Sequence, residues 1–330
     1  MGRMMKATWY DANGAARDVL VTGDMAVPET GPDEVLVRLH ASSVNPSDVK
    51  SRAGSRPMAF SRVIPHSDGA GIVEAVGANI DSAMVGSRVF VRNGQWQRPF
   101  GTAAQFIALD AGCVHPLPAN VGFETGAALG IPALTAAYAV LKDGPVDGQT
   151  ILIQGGNGTV ARLAIQIAVD HGASVIATTG ATSGVGSLKK AGASAVLDYN
   201  DPDLAAAVAE AARGAPVTRV LDAEICQNIE VDLEVLAEKG VLVGYGSMLK
   251  AVAEFPFRSM MFKNLTLSSI LVYLLGDDEA AAYAAIVGDM LEREVLDVPI
   301  QTVLPLHEAA EAHELVEAGN RSGAVILTTD

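Results

Sequence analysis

Between residues 150 and 177 the pattern of apolar and polar positions changes twice, from strand to helix and back. Thr150–Gln154 contains a continuous apolar run, as expected of a parallel strand buried on both faces. Helical spacing then continues to about His171, with apolar residues at i, i+3, i+4, i+7 and i+8: Val160, Leu163, Ala164, Ile167 and Ala168. Gly172 ends this helix and residues 173–177 supply the next strand, so the stretch predicts a βαβ unit.

A glycine-rich turn joins the first strand to this helix, with the spacing Gly155-x-x-Gly158-x-x-Ala161. Backbone N–H groups at a helix N-terminus are unpaired and the helix dipole favours negative charge there, so the turn predicts binding of a dinucleotide pyrophosphate. A purely structural turn is the alternative. A second cluster, Gly180–Gly186, lies only a few residues before Gly192, which leaves too little chain for a long helix.

Residues 5–119 follow the period of strands rather than helices. Apolar and polar side chains alternate in Val35–His40, and residues 71–76 and 88–92 are further strand candidates. Between the strand candidates at 35–40 and 71–76 lies Ser43–Asp48, where the Asn-Pro step predicts a turn and polar groups on a loop. Because loops on a rigid scaffold often carry functional residues, this loop is a candidate site.

Beyond Pro118 strands and helices alternate. The predicted elements are a helix over Ala127–Leu141, strands near 174–179, 195–198, 217–222, 240–245 and 264–271, a helix over about 278–294, and a final strand at 323–327. Alternation of this kind indicates a doubly wound parallel sheet. The predicted fold class is α/β, with a β-rich domain over residues 1–119, to which 276–330 return, and a dinucleotide-binding domain over 120–275. A ligand is expected in a cleft between the domains, at the carboxyl ends of the parallel strands.

The chain is acidic, with a formal net charge of −15 over 330 residues. A nucleic acid would be repelled by that charge, and no basic run offsets it. The two cysteines, Cys113 and Cys226, cannot form a four-ligand zinc site and do not suggest a disulfide framework, so a reducing cytosol is expected. No stretch predicts a signal peptide or a membrane span.

Four separated motifs stand out along the chain: Val44–Asp48, Ile64–Gly77, Phe100–Gln105 and Gly130–Ala136. Together they resemble the zinc-independent quinone oxidoreductase (zeta-crystallin-like) branch of the medium-chain dehydrogenase/reductase superfamily. Their order over nearly the whole chain is far more specific than the glycine turn alone. The resemblance implies a GroES-like catalytic domain, a Rossmann domain, NADPH as the hydride donor, and quinones or activated enones as acceptors.

The motifs depart from those of zinc-containing relatives, which carry Cys where this chain has Asn45 and Gly-His-Glu where it has His66-Ser-Asp68. The resemblance therefore implies no metal site. His66 and Asp68 have two interpretations: a metal or general-acid pair, or hydrogen bonds that shape the turn before Gly69. We favour the second, because no third ligand or nucleophile completes a constellation.

The resemblance also supplies candidate catalytic residues. Quinone reductases of this type often have tyrosines after the Asn-Pro turn, at positions occupied here by Lys50 and Arg56. Hydride transfer to a quinone creates an oxyanion that a cation can stabilise, so both are candidates, with solvated surface charges as the alternative. Asn45 is the stronger candidate, since its amide can hydrogen-bond the nicotinamide ribose or the acceptor oxygen.

Further candidates concern cofactor binding. Thr135 and Asn228 resemble family residues near the nicotinamide, with helix N-caps as the alternative for each. The nicotinamide pocket is expected to be walled by Tyr245, Gly246 and Ser247 and by the backbone from Leu271 to Tyr273. The glycine turn contributes Gly155, Gly156, Asn157, Gly158, Thr159 and Val160, and the 2′-phosphate side Thr179, Thr182, Ser183, Lys189, Tyr199 and Arg321.

The second strand of the βαβ unit ends without an acidic residue. NAD-specific sites place a carboxylate there to bind the ribose 2′-OH, whereas Ala177–Ser183 offers hydroxyls that favour a 2′-phosphate. The predicted cofactor is therefore NADPH. Gly184 stands where relatives carry a lysine and Asp198 lies close by, so the predicted preference over NADH is modest.

The leading functional hypothesis is an NADPH-dependent quinone reductase that works without zinc. A reductase of enones or enoyl thioesters on the same scaffold is the alternative, which the sequence does not separate from it. A non-catalytic role as a structural protein or RNA binder is disfavoured, in the second case by the negative charge. The apolar residues of the last strand in the nucleotide-binding sheet predict a homodimer joined along that edge: Leu265, Leu267, Ile270 and Leu271.

Overall fold

A computed structural model of the protein describes residues 2–180, 184–319 and 321–329. The chain forms two compact units, each with its own core. The first comprises residues 1–134, 275–294 and 298–330, and the second residues 135–274 and 295–297. The domain boundary expected near residue 119 lies ahead of this division.

Antiparallel pairing dominates the strands of the first unit. Its strands are β1 (Met4–Trp9), β2 (Val21–Ala26), β3 (Glu34–Val44), β4 (Asp68–Val76), β5 (Arg88–Val91), β6 (Phe106–Asp110), β7 (Val114–Pro116), and, from the end of the chain, β14 (Ile300–Pro305) and β15 (Ala324–Thr328). β1 and β2 pair with each other, and the other strands form a sheet in the order β14-β15-β3-β4-β5-β7, with β6 also on β3. The C-terminal strand β15 runs antiparallel to β3.

Strand β3 is buried on both faces. Val35, Val37 and Leu39 pack into one core cluster, while Leu36 and Val44 belong to another. Successive side chains of β3 therefore pack into two different cores, one on each face of the strand, instead of alternating between a core and solvent.

The helices of the first unit are short, apart from one near the C-terminus. They are α1 (Ala16–Val19), α2 (Pro46–Ala53), α3 (Phe123–Ala127), α4 (Pro132–Leu141), which continues into the second unit, α10 (Asp277–Glu292) and α11 (Ala309–Glu317). The helix predicted over residues 127–141 is confirmed over Pro132–Leu141, whereas its start is wrong. The chain between Ala127 and Pro132 is not helical, because the residue before a proline is disfavoured from helical geometry.

The second unit is a parallel sheet flanked by helices. Its strands are β8 (Thr150–Ile153), β9 (Ser174–Thr179), β10 (Ala195–Asp198), β11 (Val217–Asp222), β12 (Leu236–Gly244) and β13 (Thr266–Ser269), in the order β10-β9-β8-β11-β12-β13. Its helices are α5 (Thr159–Asp170), α6 (Val185–Lys190), α7 (Leu204–Ala211), α8 (Ile225–Val235) and α9 (Phe257–Lys263). In sequence order this is 3-2-1-4-5-6, the arrangement of a doubly wound dinucleotide-binding sheet. The predicted fold class is thereby confirmed.

The βαβ prediction agrees with the structure to within a few residues, and the second glycine cluster runs into the short helix α6, which contains Gly186. Strand β13 is at the edge of the sheet, as predicted, but it is shorter than expected. Of the four apolar residues assigned to it, only Leu267 lies within it. No helix within the described residues is both long enough and apolar enough to cross a membrane.

Candidate functional site

The glycine turn after β8 has the shape that its sequence predicts. Gly155 has a φ of +65°, a left-handed conformation that glycine adopts without strain. At Gly156 a Cβ atom would lie 2.8 Å from Leu188 of α6, so only glycine allows this close packing. A Cβ at Gly158 would meet only the Gly155 carbonyl oxygen, at 3.4 Å, which leaves the space ahead of α5 open.

The N–H groups of the three glycines are used within the protein. That of Gly155 donates to Thr178 Oγ1 at 3.0 Å, that of Gly156 to the Thr178 carbonyl at 2.7 Å, and that of Gly158 to the Gly155 carbonyl at 2.9 Å. Helix α5 begins at Thr159 without a side-chain cap, and the N–H groups of its first turn have no partner within the helix. A pyrophosphate therefore fits at the first turn of α5, where Thr159 and Val160 lie, and the glycines provide space for it.

The candidates for the 2′-phosphate side lie around the end of β9. Thr179 is buried, and its Oγ1 accepts a hydrogen bond of 2.7 Å from Asn157 Nδ2, so it fastens the glycine turn. Asp198 is its partner in the β9–β10 register. Tyr199 lies across the end of β9, since a Cβ at Gly180 would be 2.2 Å from its hydroxyl oxygen.

The other predicted phosphate contacts are more scattered. Lys189 is exposed on α6. Arg321 belongs to the first unit, and burial lowers the pKa of its guanidinium group. Thr182 and Ser183 lie outside the described residues. Among the described candidates, the structure therefore brings Thr179 and Tyr199 to the end of β9, together with Asn157 of the glycine turn.

The strand-end residues expected to wall the nicotinamide pocket follow β12 and β13. Tyr245 directs its hydroxyl into the interior, where burial raises its pKa and the nearby Asp222 raises it further. Gly246 passes close to the end of the neighbouring strand β11, because a Cβ there would be 2.5 Å from the Ala223 carbonyl oxygen. Ser247 Oγ accepts a hydrogen bond from Cys226 N at 3.1 Å and donates to the Lys250 carbonyl at 2.6 Å. Leu271 is exposed and Tyr273 half-buried.

Two alternative assignments are wrong. Thr135 is the fourth residue of α4 and Asn228 lies inside α8, so neither is a helix N-cap. Asn228 instead donates to the carboxylate of Asp222 at 3.1 and 3.2 Å.

In the first unit, the strongest catalytic candidate is fixed by two carboxyl groups. Asn45 is buried; its Nδ2 donates to Asp68 Oδ2 at 2.8 Å, and its backbone N–H to Asp48 Oδ2 at 2.8 Å. Asp68 Oδ2 also accepts from the N–H of Ile131, at 2.9 Å, just before α4. Burial raises the pKa of Asp48 to about 7 and that of Asp68 well above its ordinary value.

The predicted loop at residues 43–48 is wrong, and the reason is local. Pro46 is the first residue of α2, a position where its fixed φ suits a helix and its missing N–H is not needed. Asn45 and Asp48 thus secure the start of a helix rather than a turn. Close packing extends to Gly130, where a Cβ would be 2.4 Å from Asp68 Oδ1.

The imidazole of His66 is engaged in a buried polar cluster. Its Nδ1 lies 2.9 Å from Ser42 Oγ, which is 2.8 Å from Thr102 Oγ1, and its Nε2 lies 2.9 Å from Nε2 of His313. Burial lowers the pKa of His66 to about 3, so the ring is neutral. His66 therefore connects β3, β4 and α11 instead of forming an acid pair with Asp68. In the described ranges, no group of three or more His, Cys, Asp or Glu side chains is placed to hold a metal ion.

The two cationic candidates lie at and beyond the end of α2. Lys50 is half-buried in its last turn. Arg56 is exposed beyond that helix; its Nη2 donates to Ser51 Oγ at 3.1 Å, and its guanidinium carbon lies 5.8 Å from the centre of the Trp96 ring. The structure places both on the same segment as Asn45, in and just beyond α2.

Sequence reasoning missed four buried polar residues of the second unit: Gln154, Thr178, Asp222 and Asp232. Three of them carried a signal, because each is a polar residue in the last two positions of a parallel strand or directly after it. Carboxyl ends of parallel strands meet along one edge of the sheet, where ligands bind. Asp232, inside α8, had no such signal.

A β-rich unit combined with a dinucleotide-binding sheet defines a two-unit dehydrogenase, and the comparisons with known proteins agree. Residues 31–119 match the alcohol dehydrogenase GroES-like domain family, and residues 159–287 the zinc-binding dehydrogenase family. The chain is 29% identical to a quinone oxidoreductase of Sus scrofa, over 98% of each chain. It is 33% identical to a 2-methylene-furan-3-one reductase of Solanum lycopersicum, over 59% of this chain and 52% of the relative.

Solved structures give the same result. An Escherichia coli quinone oxidoreductase complexed with NADPH superimposes with a TM-score of 0.86 at 25% identity, over 98% of this chain and 99% of that one. The protein therefore belongs to the medium-chain dehydrogenase/reductase superfamily, in its quinone oxidoreductase branch, and is an oxidoreductase.

Proposed function

We propose that this protein is an NADPH-dependent quinone reductase that acts without zinc. The observation that carries the proposal is the open first turn of α5 at the carboxyl end of β8, in a sheet of dinucleotide-binding order. Bound NADPH would supply a hydride for the acceptor. The similarity to quinone oxidoreductases over the whole chain supports the choice of acceptor.

The residues of the chain have separate tasks in this proposal. The first turn of α5 binds the pyrophosphate, and Asn157 with Thr179 keeps the turn in place. Asn45, oriented by Asp68, offers an amide to the ribose or to the acceptor oxygen. Lys50 and Arg56 supply positive charge for the oxyanion that forms on the reduced quinone.

NADPH oxidation measured with a naphthoquinone, a benzoquinone, an enone and an enoyl-CoA tests this proposal. We expect turnover of the quinones, undiminished by a chelator. Gly158→Ala should weaken NADPH binding because its methyl group enters the phosphate space, whereas Gly186→Ala, where a Cβ meets nothing within 4 Å, is the matched control. The proposal fails if NADPH binds but none of the acceptors is reduced.

Reduction of α,β-unsaturated carbonyl compounds is the second candidate. It is favoured by the similarity to the 2-methylene-furan-3-one reductase, which covers 59% of this chain. Hydride delivery to the β-carbon of an enone requires the same cofactor pose as delivery to a quinone. Faster turnover of the enone than of either quinone in the same assay would select this alternative.

The zinc-free part of the proposal depends on the residues at the family's metal position. Asn45 is a poor zinc ligand, and both nitrogens of His66 lie within hydrogen-bonding distance of protein atoms. Loss of activity on addition of a chelator would contradict the proposal that the protein acts without zinc. We also propose that the protein works in a reducing cytosol, where its two free cysteines, Cys113 and Cys226, would stay reduced.

We also propose a homodimer joined along the edge strand β13. Leu267 on this strand and Leu271 just after it are 39% and 46% exposed, and α9 with the segment before it adds a further group of exposed apolar side chains. These are Met248, Leu249, Val252, Phe255, Phe257, Met261 and Phe262. Apolar area of this kind is usually covered by a partner, and an exposed edge strand is a ready place for pairing.

A further inference from the structure

A continuous chain of hydrogen bonds runs beneath the glycine turn, within the second unit. It begins at the N–H of Gly155, which donates to Thr178 Oγ1 at 3.0 Å. Thr178 Oγ1 lies 2.7 Å from Gln154 Oε1, and Gln154 Nε2 lies 3.0 Å from Asp232 Oδ1. The carboxyl group of Asp222, at the carboxyl end of β11, is the electrostatic neighbour of Asp232.

The bonds of this chain run in one direction. The backbone N–H of Gly155 donates to the Thr178 hydroxyl, which donates in turn to Gln154 Oε1. The amide of Gln154 then has its N–H groups facing Asp232, whose Oδ1 accepts. Every donor therefore points towards Asp222, and hydrogen bonds aligned in this way strengthen one another.

The last bond of the chain requires a proton between two carboxyl groups. Asp222 accepts from Glu224 N at 2.8 Å and from Asn228 Nδ2, which are the partners of an ionised carboxylate. Asp232 Oδ2 is buried and accepts no hydrogen bond from any described residue. It is therefore suited to carry a proton and to donate it to Asp222.

The electrostatics of the pair agree with this geometry. Burial raises the pKa of both carboxyl groups; at Asp232 the charge of Asp222 adds to the rise, whereas at Asp222 hydrogen bonds oppose it. The other titratable groups facing the pair are Glu224, before α8, and Tyr245, after β12. Helix α7, which also packs on α8, contributes the apolar Leu204 and Val208 to the core there.

We propose that protonated Asp232 is a positioning residue for the dinucleotide: through Gln154 and Thr178 it fixes Gly155 and thereby the turn in front of α5. This inference rests on the proposed cofactor site and deepens it. Gly155 has a left-handed backbone, and its N–H would lose its partner within the protein if this hydrogen-bond chain broke. The turn would then adopt other conformations and the pyrophosphate would lose a preformed site.

Two substitutions at Asp232 test the proposal through NADPH affinity. Asp232→Asn keeps an oxygen for Gln154 and an N–H for Asp222, so it mimics the protonated acid. Asp232→Leu has a similar size but completes neither bond. We expect NADPH affinity to fall about 5–30-fold in Asp232→Leu, the effect of one or two lost hydrogen bonds, and to stay near wild type in Asp232→Asn. Equal affinity in the two variants would overturn the proposal.

The pH dependence separates a shared proton from simple packing. As the pH rises through the raised pKa of Asp232, wild type should lose NADPH affinity relative to Asp232→Asn, since only the acid can lose its proton. The ratio of the two dissociation constants removes the titration of the cofactor's own 2′-phosphate. A ratio that stays constant, or that changes in the opposite direction, contradicts a shared proton.

At the other end of the hydrogen-bond chain, two substitutions of Thr178 form a matched pair. Thr178→Val removes the acceptor for the Gly155 N–H, whereas Thr178→Ser keeps it. Amide hydrogen exchange of the segment around Gly155, measured without cofactor, should be faster in Thr178→Val and Asp232→Leu than in wild type, Thr178→Ser and Asp232→Asn. Unchanged exchange in both disrupted variants overturns the inference even if NADPH binds. Faster exchange in a protein that binds no NADPH supports the chain while the proposed function fails.

Discussion

At the scale of single residues, Gly184 leaves the predicted 2′-phosphate site without the lysine that relatives carry at this position. It occupies the N-cap position of α6, and a Cβ there would lie 2.2 Å and 2.3 Å from the amide oxygen and nitrogen of Asn157. That amide donates to Thr179 and so helps to fix the glycine turn. A lysine at position 184 would therefore add a cation but also displace Asn157.

Two variants at this position separate the two effects. Gly184→Ala introduces the Cβ without the charge, so it should weaken NADPH and NADH binding alike. Gly184→Lys should raise the ratio of NADPH to NADH affinity above that of Gly184→Ala by about 10–150-fold, the range of a charge-assisted contact. Titration of both cofactors in one low-salt buffer measures the ratio. If the two variants show the same ratio, position 184 does not face the 2′-phosphate.

At the scale of elements, the start of α2 contains a buried acid with an unusual pKa. Burial raises the pKa of Asp48 to about 7, while the N–H groups of Asn45 and Ser67 oppose this rise. In the unfolded chain an aspartic acid has a pKa of about 3.9. Between these two values the folded state binds more protons than the unfolded state, so the contribution of Asp48 to stability falls as the pH rises.

Asp48→Asn should remove this dependence. The free energy of unfolding of Asp48→Asn minus that of wild type should increase between about pH 4 and about pH 7. The increase should reach up to a few kcal/mol, because each unit of pKa difference corresponds to about 1.4 kcal/mol. Urea unfolding at several pH values measures the difference. Asp11→Asn is the control, since Asp11 is an exposed acid bonded to Arg62 and should show almost no trend. A flat difference for Asp48→Asn would show that this acid is ionised in the folded protein.

At the scale of the whole molecule, the edge strands of the two units differ in their exposed apolar surface. Edge strand β14 of the first unit exposes a single large apolar residue, Val303. Edge strand β13 of the second lies beside the exposed apolar segment around α9. With a net charge of −15, two copies of the chain repel each other at long range, so a stable dimer requires a large apolar contact.

Leu267→Lys should therefore shift the protein from dimer to monomer, because it places a charge on the edge that pairs. Val303→Lys, on the exposed edge of the other sheet, should leave the dimer intact. Light scattering coupled to gel filtration at micromolar concentration reports both masses. A monomeric wild-type protein would exclude the dimer, and equal dissociation of both variants would place the interface elsewhere.

The amino-acid sequence alone determined the elements whose signals are local. Apolar periods and glycine positions located the βαβ unit, the later strands of the sheet and the fold class, because strands and helices place apolar residues at different periods. The same reasoning failed at Asn45-Pro46, where a helix start and a turn use the same residue types.

Tertiary structure alone decided which polar side chains meet. Gln154 and Asp232 are 78 residues apart, and His66 and His313 are separated by 247, so no local pattern announces either pair. Their contacts depend on strand order and on which face of a helix turns inward. The sequence therefore predicts only part of the candidate site. Its glycine turn follows from local backbone geometry, whereas the hydrogen bonds that fix the turn form only when the sheet forms.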